Sequence, residues 1–218
     1  MSQHDPTVLA HGSWTGEQVK HQWLQENYAP PQTDLDHAQE ELAKLRARGS
    51  PSYDGLSARL VDFHQVNQNL ELTIQPIQWS LRLLPDARDS LTVLCVVRTE
   101  DGRWLVGRRA AWVATWAGKW TLGAGGAVEL GENPVDTLVR ELNEEWSLKP
   151  QELDIKALIR TPNRLTILIA LAWVSGDAQP VLDVEHDEFA WWPAQVTEWP
   201  NTAASQVRKI GEMLDPNK

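Results

Sequence analysis

GAVELGENPVDTLVRELNEEWSL, residues 126–148, is the stretch from which the rest of this 218-residue chain can be read. Asn133 followed by Pro134 is a helix start. The Asn side chain can accept an amide hydrogen bond that the first turn leaves orphaned, and Pro tolerates the first helical position. Asp136 reinforces that end. Val135, Leu138, Val139, Leu142 and Trp146 recur at three- and four-residue spacing, which predicts one apolar stripe packed on a core. Glu141, Glu144 and Glu145 fall together beside the stripe. Carboxylates at i, i+3 and i+4 repel one another, and these lie near the helix C-terminus, where the macrodipole disfavours negative charge. A sequence selected for stability alone would avoid this arrangement. Broken local rules inside a well-formed element mark functional sites, and a bound divalent cation would offset the repulsion. The plain alternative is a solvated acidic helix face.

The wider pattern separates the two readings. Gly126, Glu132, Arg140, Glu141, Leu142, Glu144, Glu145 and Leu148 stand at the spacing glycine, five residues, glutamate, seven residues, then Arg-Glu-aliphatic-any-Glu-Glu-any-Gly-aliphatic. This resembles the signature of the Nudix hydrolase family. One position departs: Ser147 stands where the family has its second glycine, the usual residue for a left-handed helix end, and predicts a slightly altered helix exit with no ligand lost.

The resemblance implies an α/β fold, an α/β/α sandwich around a mixed sheet, and a pyrophosphohydrolase that cleaves the diphosphate of a nucleoside diphosphate linked to another group. It assigns metal ligation to Glu141, Glu144, Glu145 and the Gly126 carbonyl. Arg140 and Glu132 complete the catalytic set as supports, their salt bridge tying loop to helix and orienting the ligand glutamates. Oxygen ligands suit Mg2+, with Mn2+ as a substitute. Glu129 could ligate a further metal. The general base stays open between a signature glutamate and a distant acidic residue.

Composition bounds the partners. Thirty acidic against 20 basic residues give a formal charge of -10, which argues against a nonspecific nucleic-acid surface. Cys95, the single cysteine, lies in the apolar run LTVLCVV and reads as a buried strand residue in a reducing compartment. The N-terminal MSQHDPTVLAHG lacks a basic start and a long apolar segment, and no later run approaches the ~18 apolar residues of a membrane span. A cytoplasmic protein that binds a small nucleoside diphosphate derivative, with no nucleic acid and no membrane partner, is expected. Tryptophan is abundant, at 12 residues; exposed Trp in the N-terminal region would make a homodimer reasonable.

Working outward, residues 1–87 read as a small N-terminal α+β extension and 88–218 as the catalytic domain. Thr15 with Gln18 predicts a capped helix to about Tyr28, and Thr33 a second helix through about Arg48. Leu56–Phe63 and Asn69–Gln75 are strand candidates. The run PSYDGLSARL from Pro51, with NLELTIQPIQWSLRL from Asn69, is similar to the N-terminal region of a Nudix branch that hydrolyses UDP-glucose and UDP-galactose. A nucleotide sugar such as UDP-glucose is therefore a candidate substrate.

In the second part, Leu91–Arg98 and Trp104–Arg109 form a hairpin about Asp101-Gly102. Adjacent strand residues point to opposite faces, so at most one of Arg108 and Arg109 meets a bound phosphate, with Arg109 favoured; the alternative is a solvated salt-bridging pair. Trp112 and Trp116, in the connection that follows, could stack on a nucleobase or simply pack against the core. The glycine run Gly123–Gly126 allows close backbone approach to a ligand. Strands follow over Leu153–Arg160 and Arg164–Val174, the latter nearly all apolar and so expected to be covered on both faces. Arg160 and Arg164 bracket the turn between them and could touch substrate, or be exposed cations. Glu185, Asp187 and Glu188 in EHDEFAWWP are candidates for an additional base, while His186 has no second His or Cys at zinc-ligand spacing. Thr202–Leu214 should close the fold as a helix.

Two rivals are set against the hydrolase. A non-catalytic Nudix-fold nucleotide-binding or regulatory module need not keep three mutually repelling carboxylates. An isoprenoid diphosphate isomerase related to this fold would need an active-site cysteine, which Cys95 in a strand supplies poorly.

Overall fold

In the computed structural model, which describes residues 6–215, ten strands and three α-helices follow one another. They are β1 (Thr7–Trp14), β2 (Val19–Trp23), α1 (Gln32–Ala47), β3 (Leu56–Val66), β4 (Asn69–Gln78), β5 (Leu91–Thr99), β6 (Trp104–Arg109), β7 (Trp120–Leu122), α2 (Pro134–Trp146), β8 (Glu152–Arg160), β9 (Thr166–Val174), β10 (His186–Trp192) and α3 (Ser205–Leu214). The first five residues, part of the stretch read for a targeting signal, lie outside the described residues. No described helix is long and apolar enough to cross a membrane.

Apolar runs on β5 and β9 set the layers. Val93, Cys95 and Val97 of β5, with Leu168, Ala170 and Ala172 of β9, pack with Leu138, Leu142 and Trp146 of α2. Val96, Ile169 and Leu171 face the other way, toward Val207 and Leu214 of α3. Both faces of these strands are buried, which is what a continuous apolar strand requires. The sheet runs β1-β8-β9-β5-β6-β10, with β7 beside β6; β5 and β9 are parallel and the other pairs antiparallel. This is the expected mixed sheet between helices. A second sheet, β2-β4-β3, carries α1 beside it through the apolar cluster of Ala38, Ile77, Leu81 and Leu84.

Several expectations are corrected. Residues 15–28 are not a helix. The Thr15 amide does donate to Gln18 Oε1 at 2.9 Å, but the turn it caps is a single 3-10 turn, Gly16–Gln18. Val19–Trp23 then pairs in parallel with Leu70–Ile74, so strand pairing overrides a local cap signal. Thr33 is not a cap, because α1 already begins at Gln32. Val139, placed on the apolar stripe of α2, is exposed, and the stripe is narrower than its spacing suggests. Trp14 is buried, and Trp23 and Trp79 are partly buried, so the extension presents no exposed tryptophan for self-association. β1, from the same region, is the edge strand of the large sheet.

One buried acid joins the parts. Asp89 lies against Arg59 of β3 at 3.8 Å, Arg160 of β8 at 3.0 Å, and Arg164 of the following turn. Breaking such a shared buried pairing costs far more than breaking a surface pair.

The helix exit departs from expectation in an instructive way. Ser147 itself adopts the left-handed conformation, φ 53° and ψ 32°, and its amide donates to the Asn143 carbonyl at 2.9 Å. The left-handed exit is thus formed without a glycine and carries the strain of a side chain. Ser147→Gly is expected to stabilise the protein by about 1 kcal/mol, read as a higher denaturant midpoint at unchanged slope; a lower midpoint would contradict this account.

Candidate active site

The glycine run is inserted beside β5. Cys95 N donates to the Ala124 carbonyl at 2.8 Å, and Val93 N to the Gly126 carbonyl at 2.9 Å. Gly123 takes φ 55°, and a β-carbon there would collide with the Cys95 carbonyl. At Gly126 a β-carbon would occupy the space of the Glu141 carboxylate. Absence of a side chain at these two positions is what lets the loop lie flat against both a strand and a helix.

On the helix side, Asn133 accepts from the Val135 amide at 2.9 Å and fixes the start of α2. Arg140 then straps the site together. Its Nε and Nη2 donate to the two oxygens of Glu132 at 2.7 and 3.1 Å, and its Nη1 lies 2.8 Å from Glu141 Oε1 and 2.9 Å from Glu144 Oε2. Glu132 also accepts from the Glu129 amide and the Thr137 hydroxyl. Burial works against charge on both partners, yet their mutual hydrogen bonds hold Glu132 below and Arg140 above their ordinary pKa values.

Glu141 and Glu145 are buried, whereas Glu144 is exposed. Glu145 accepts from the Gly125 amide at 3.1 Å through Oε1, while Oε2 is buried with no hydrogen-bond donor. Arg109 Nη1 approaches that oxygen at 4.0 Å and pairs with Glu185 at 2.9 Å. Burial pushes the Glu141 carboxyl up to about 7, against the pull of Arg140, and pushes Glu145 well above the ordinary carboxylate range.

Sequence-predicted residues divide on this geometry. Arg109 reaches the glutamates, while Arg108 turns away to Glu188. Trp116 is 41% exposed and lines, with Arg109, Gly125 and Glu145, a cavity of about 640 Å³ whose far wall is apolar side chains of the sheet and α3. Arg164 is held by Asp89 and Asp86 and is not brought to the glutamates. Glu129, Asp187 and Glu188 are exposed, so Glu185 is the late-loop acid that enters the site. The Gly126 carbonyl accepts from both Val93 N and the Thr92 hydroxyl, so it would have to exchange the hydroxyl to ligate a metal.

Two residues escaped the sequence reading. His186 is buried against the Trp146 ring at 4.5 Å, bonded through Nδ1 to Asp183 at 3.0 Å, with Nε2 turned toward Glu145 at 3.8 Å. Arg82 also lines the cavity. Arg82 lies in the run from Asn69 and His186 in EHDEFAWWP, yet neither was given a role there, and only chain folding brings them here.

Residues 89–212 match the family described as NUDIX domain, more than half of the chain. The chain belongs to that family. It is a hydrolase acting on phosphoric anhydride bonds, as the Nudix domain implies. Solved structures similar to it include a MutT protein from Methanosarcina mazei, with 23% identity and a TM-score of 0.45 over 59% of this chain and 94% of that one. Another is the NUDIX domain of Shewanella oneidensis NrtR complexed with ADP ribose, with 20% identity and a TM-score of 0.44 over 57% and 84%. A C. elegans Ap4A hydrolase has 17% identity and a TM-score of 0.44 over 56% and 92%. Comparison with curated proteins gave no match.

Nudix enzymes generally use divalent metals. Among the described residues, no group of three or more His, Cys, Asp or Glu already converges in metal-holding geometry. The donors nonetheless fit a hard cation: they are all oxygen, one buried Glu145 oxygen has no donor, and burial disfavours the charge of Glu141 and Glu145. Cysteine chemistry does not fit, since burial pushes the Cys95 thiol up to about 12.

The raised carboxyl values give a sign to the pH response. From the ordinary carboxylate range up through about 7, the folded metal-free protein holds protons on Glu141 and Glu145 that the unfolded chain has released, so stability falls as pH rises. In chelator, Tm is expected to drop between about pH 5 and about pH 8, with Mg2+ restoring more at the higher pH, and Glu145→Gln should flatten both trends. Equal Mg2+ shifts at the two pH values would contradict this.

Proposed function

We propose that this Nudix enzyme is a Mg2+-dependent pyrophosphohydrolase of a nucleoside diphosphate joined to another group, with nucleotide sugars such as UDP-glucose among the candidates. The observation that carries the reading is Glu145 Oε2: a buried carboxylate oxygen without a donor, beside Glu141, at the head of a cavity large enough for a nucleotide derivative. Glu141, Glu144 and Glu145 would hold the cation, which would supply charge neutralisation at the diphosphate and a lowered pKa for an attacking water.

This chain's own residues do the rest. Arg140, bonded to Glu132, holds the loop and helix together and orients Glu141 and Glu144. Arg109 is balanced between Glu145 and Glu185, so its charge is near a phosphate bound at the glutamates. Glu185, paired with Arg109, would serve as the late-loop base, a reading its proximity to the glutamates through Arg109 supports. Trp116 offers its exposed ring as a stacking surface for the base. Arg164 would contact substrate only by leaving Asp89, and nothing supports that exchange.

Assay of nucleotide sugars, ADP-ribose, dinucleotides and nucleoside triphosphates with Mg2+ tests the reading. Glu144→Gln and Glu145→Gln are each expected to lower turnover on the best substrate by roughly 100-fold or more. Unchanged turnover in both variants would falsify the assigned metal site. Tight metal-independent binding with no product would instead favour the regulatory module.

A further inference from the structure

Among the described residues, two arginines line the cavity, Arg82 and Arg109, and the arginines of the neighbouring loops and helix are committed elsewhere. Arg109 pairs with Glu185, Arg140 with three glutamates, and Arg160 and Arg164 with Asp89. Arg82 is different. It sits in the 3-10 turn Trp79–Leu83 that leads from β4 toward β5, half-buried, and lines the cavity beside Arg109, Gly125 and Glu145. Among the described residues, no hydrogen bond or ion pair reaches its guanidinium. The Trp79 ring lies 5.5 Å from it and supports the arm, but a ring supplies no acceptor oxygen for five N–H donors.

Two further facts argue that this placement is built. Leu81 and Leu84, on either side, are buried with Ala38 and Ile77, so the turn is anchored to α1. Glu141 and Glu185 bear on the charge of Arg82 favourably and Arg109 unfavourably, which puts it in the field of the proposed diphosphate site. The guanidinium is half-buried and open to the cavity, where an incoming anion with paired oxygens would replace water with charge-assisted hydrogen bonds. Its planar fork matches two phosphate oxygens in a way that an ammonium cannot.

We propose that Arg82 is a substrate-binding residue whose guanidinium grips the non-bridging oxygens of the diphosphate in bidentate fashion, so that the N-terminal region completes the active site. The inference rests on the diphosphate-cleaving reading of that site. Arg109 then balances charge at the glutamates, and Arg82 supplies the directional hydrogen bonds.

The test uses the full chain with Mg2+: calorimetric titration of inorganic pyrophosphate, and KM and kcat on the best substrate of the panel, for wild type, Arg82→Gln and Arg82→Lys beside Glu144→Gln. Arg82→Gln is expected to weaken pyrophosphate and raise KM by about tenfold or more, with kcat within about threefold and Tm unchanged. Arg82→Lys, which keeps the charge but not the fork, should lose at least about fivefold in affinity. Pyrophosphate affinity and KM within about twofold of wild type in Arg82→Gln overturn the proposal, as does wild-type protein that does not bind pyrophosphate. Should Arg82→Gln not fold, Arg82→Lys decides alone, and wild-type affinity there overturns it. Loss of turnover in Glu144→Gln with Arg82→Gln unaffected removes this inference only. Full turnover in Glu144→Gln removes the reading beneath it.

Discussion

Two carboxylates held out of water beside each other, Glu141 and Glu145 on one face of α2, are the constraint around which the catalytic part of this protein is built. Like charges in a buried place cannot both ionise without compensation, and burial drives both toward the protonated form. The surroundings answer with partial measures. Arg140 spans Glu132, Glu141 and Glu144, and the Gly125 amide and the more distant Arg109 meet Glu145. None of these gives the last Glu145 oxygen a hydrogen bond. A helix that served only packing would gain nothing from this arrangement, which leaves a site poised for a cation or for a proton.

The glycine loop and the helix form a single device. The loop runs alongside β5 through backbone hydrogen bonds from Val93 and Cys95, and it passes so close to Glu141 that residue 126 has room for no side chain. The Asn133 cap and the Arg140–Glu132 pair then fix the helix to the same loop. Backbone position therefore sets carboxylate position, and rigid elements give a site more precision than a free loop would.

Residues before β5 do more than cover a surface. β1 extends the large sheet at its edge, Asp89 gathers arginines from β3, β8 and the turn after β8, and the anchored 3-10 turn carries Arg82 to the cavity. The N-terminal region thus reaches the cavity beside Glu145 through packing and charge that no local pattern announces.

Much of this was legible in the order of residues. Spacing along residues 126–148 determined the helix, its cap, its buried stripe and the paired glutamates, because helical periodicity places i, i+3 and i+4 side chains together whatever surrounds them. Continuous apolar runs determined β5 and β9 as covered strands for the same local reason. What the tertiary structure alone decided involves partners distant in sequence. Val19–Trp23 became a strand because β4 was there to pair with it, despite a helix-capping signal beside it. Arg164 was drawn to Asp89 and away from the glutamates, His186 was turned against Trp146, and Arg82 was delivered to the cavity. Long-range pairing and buried charge are energies of the folded chain, and they have no period to leave in the sequence.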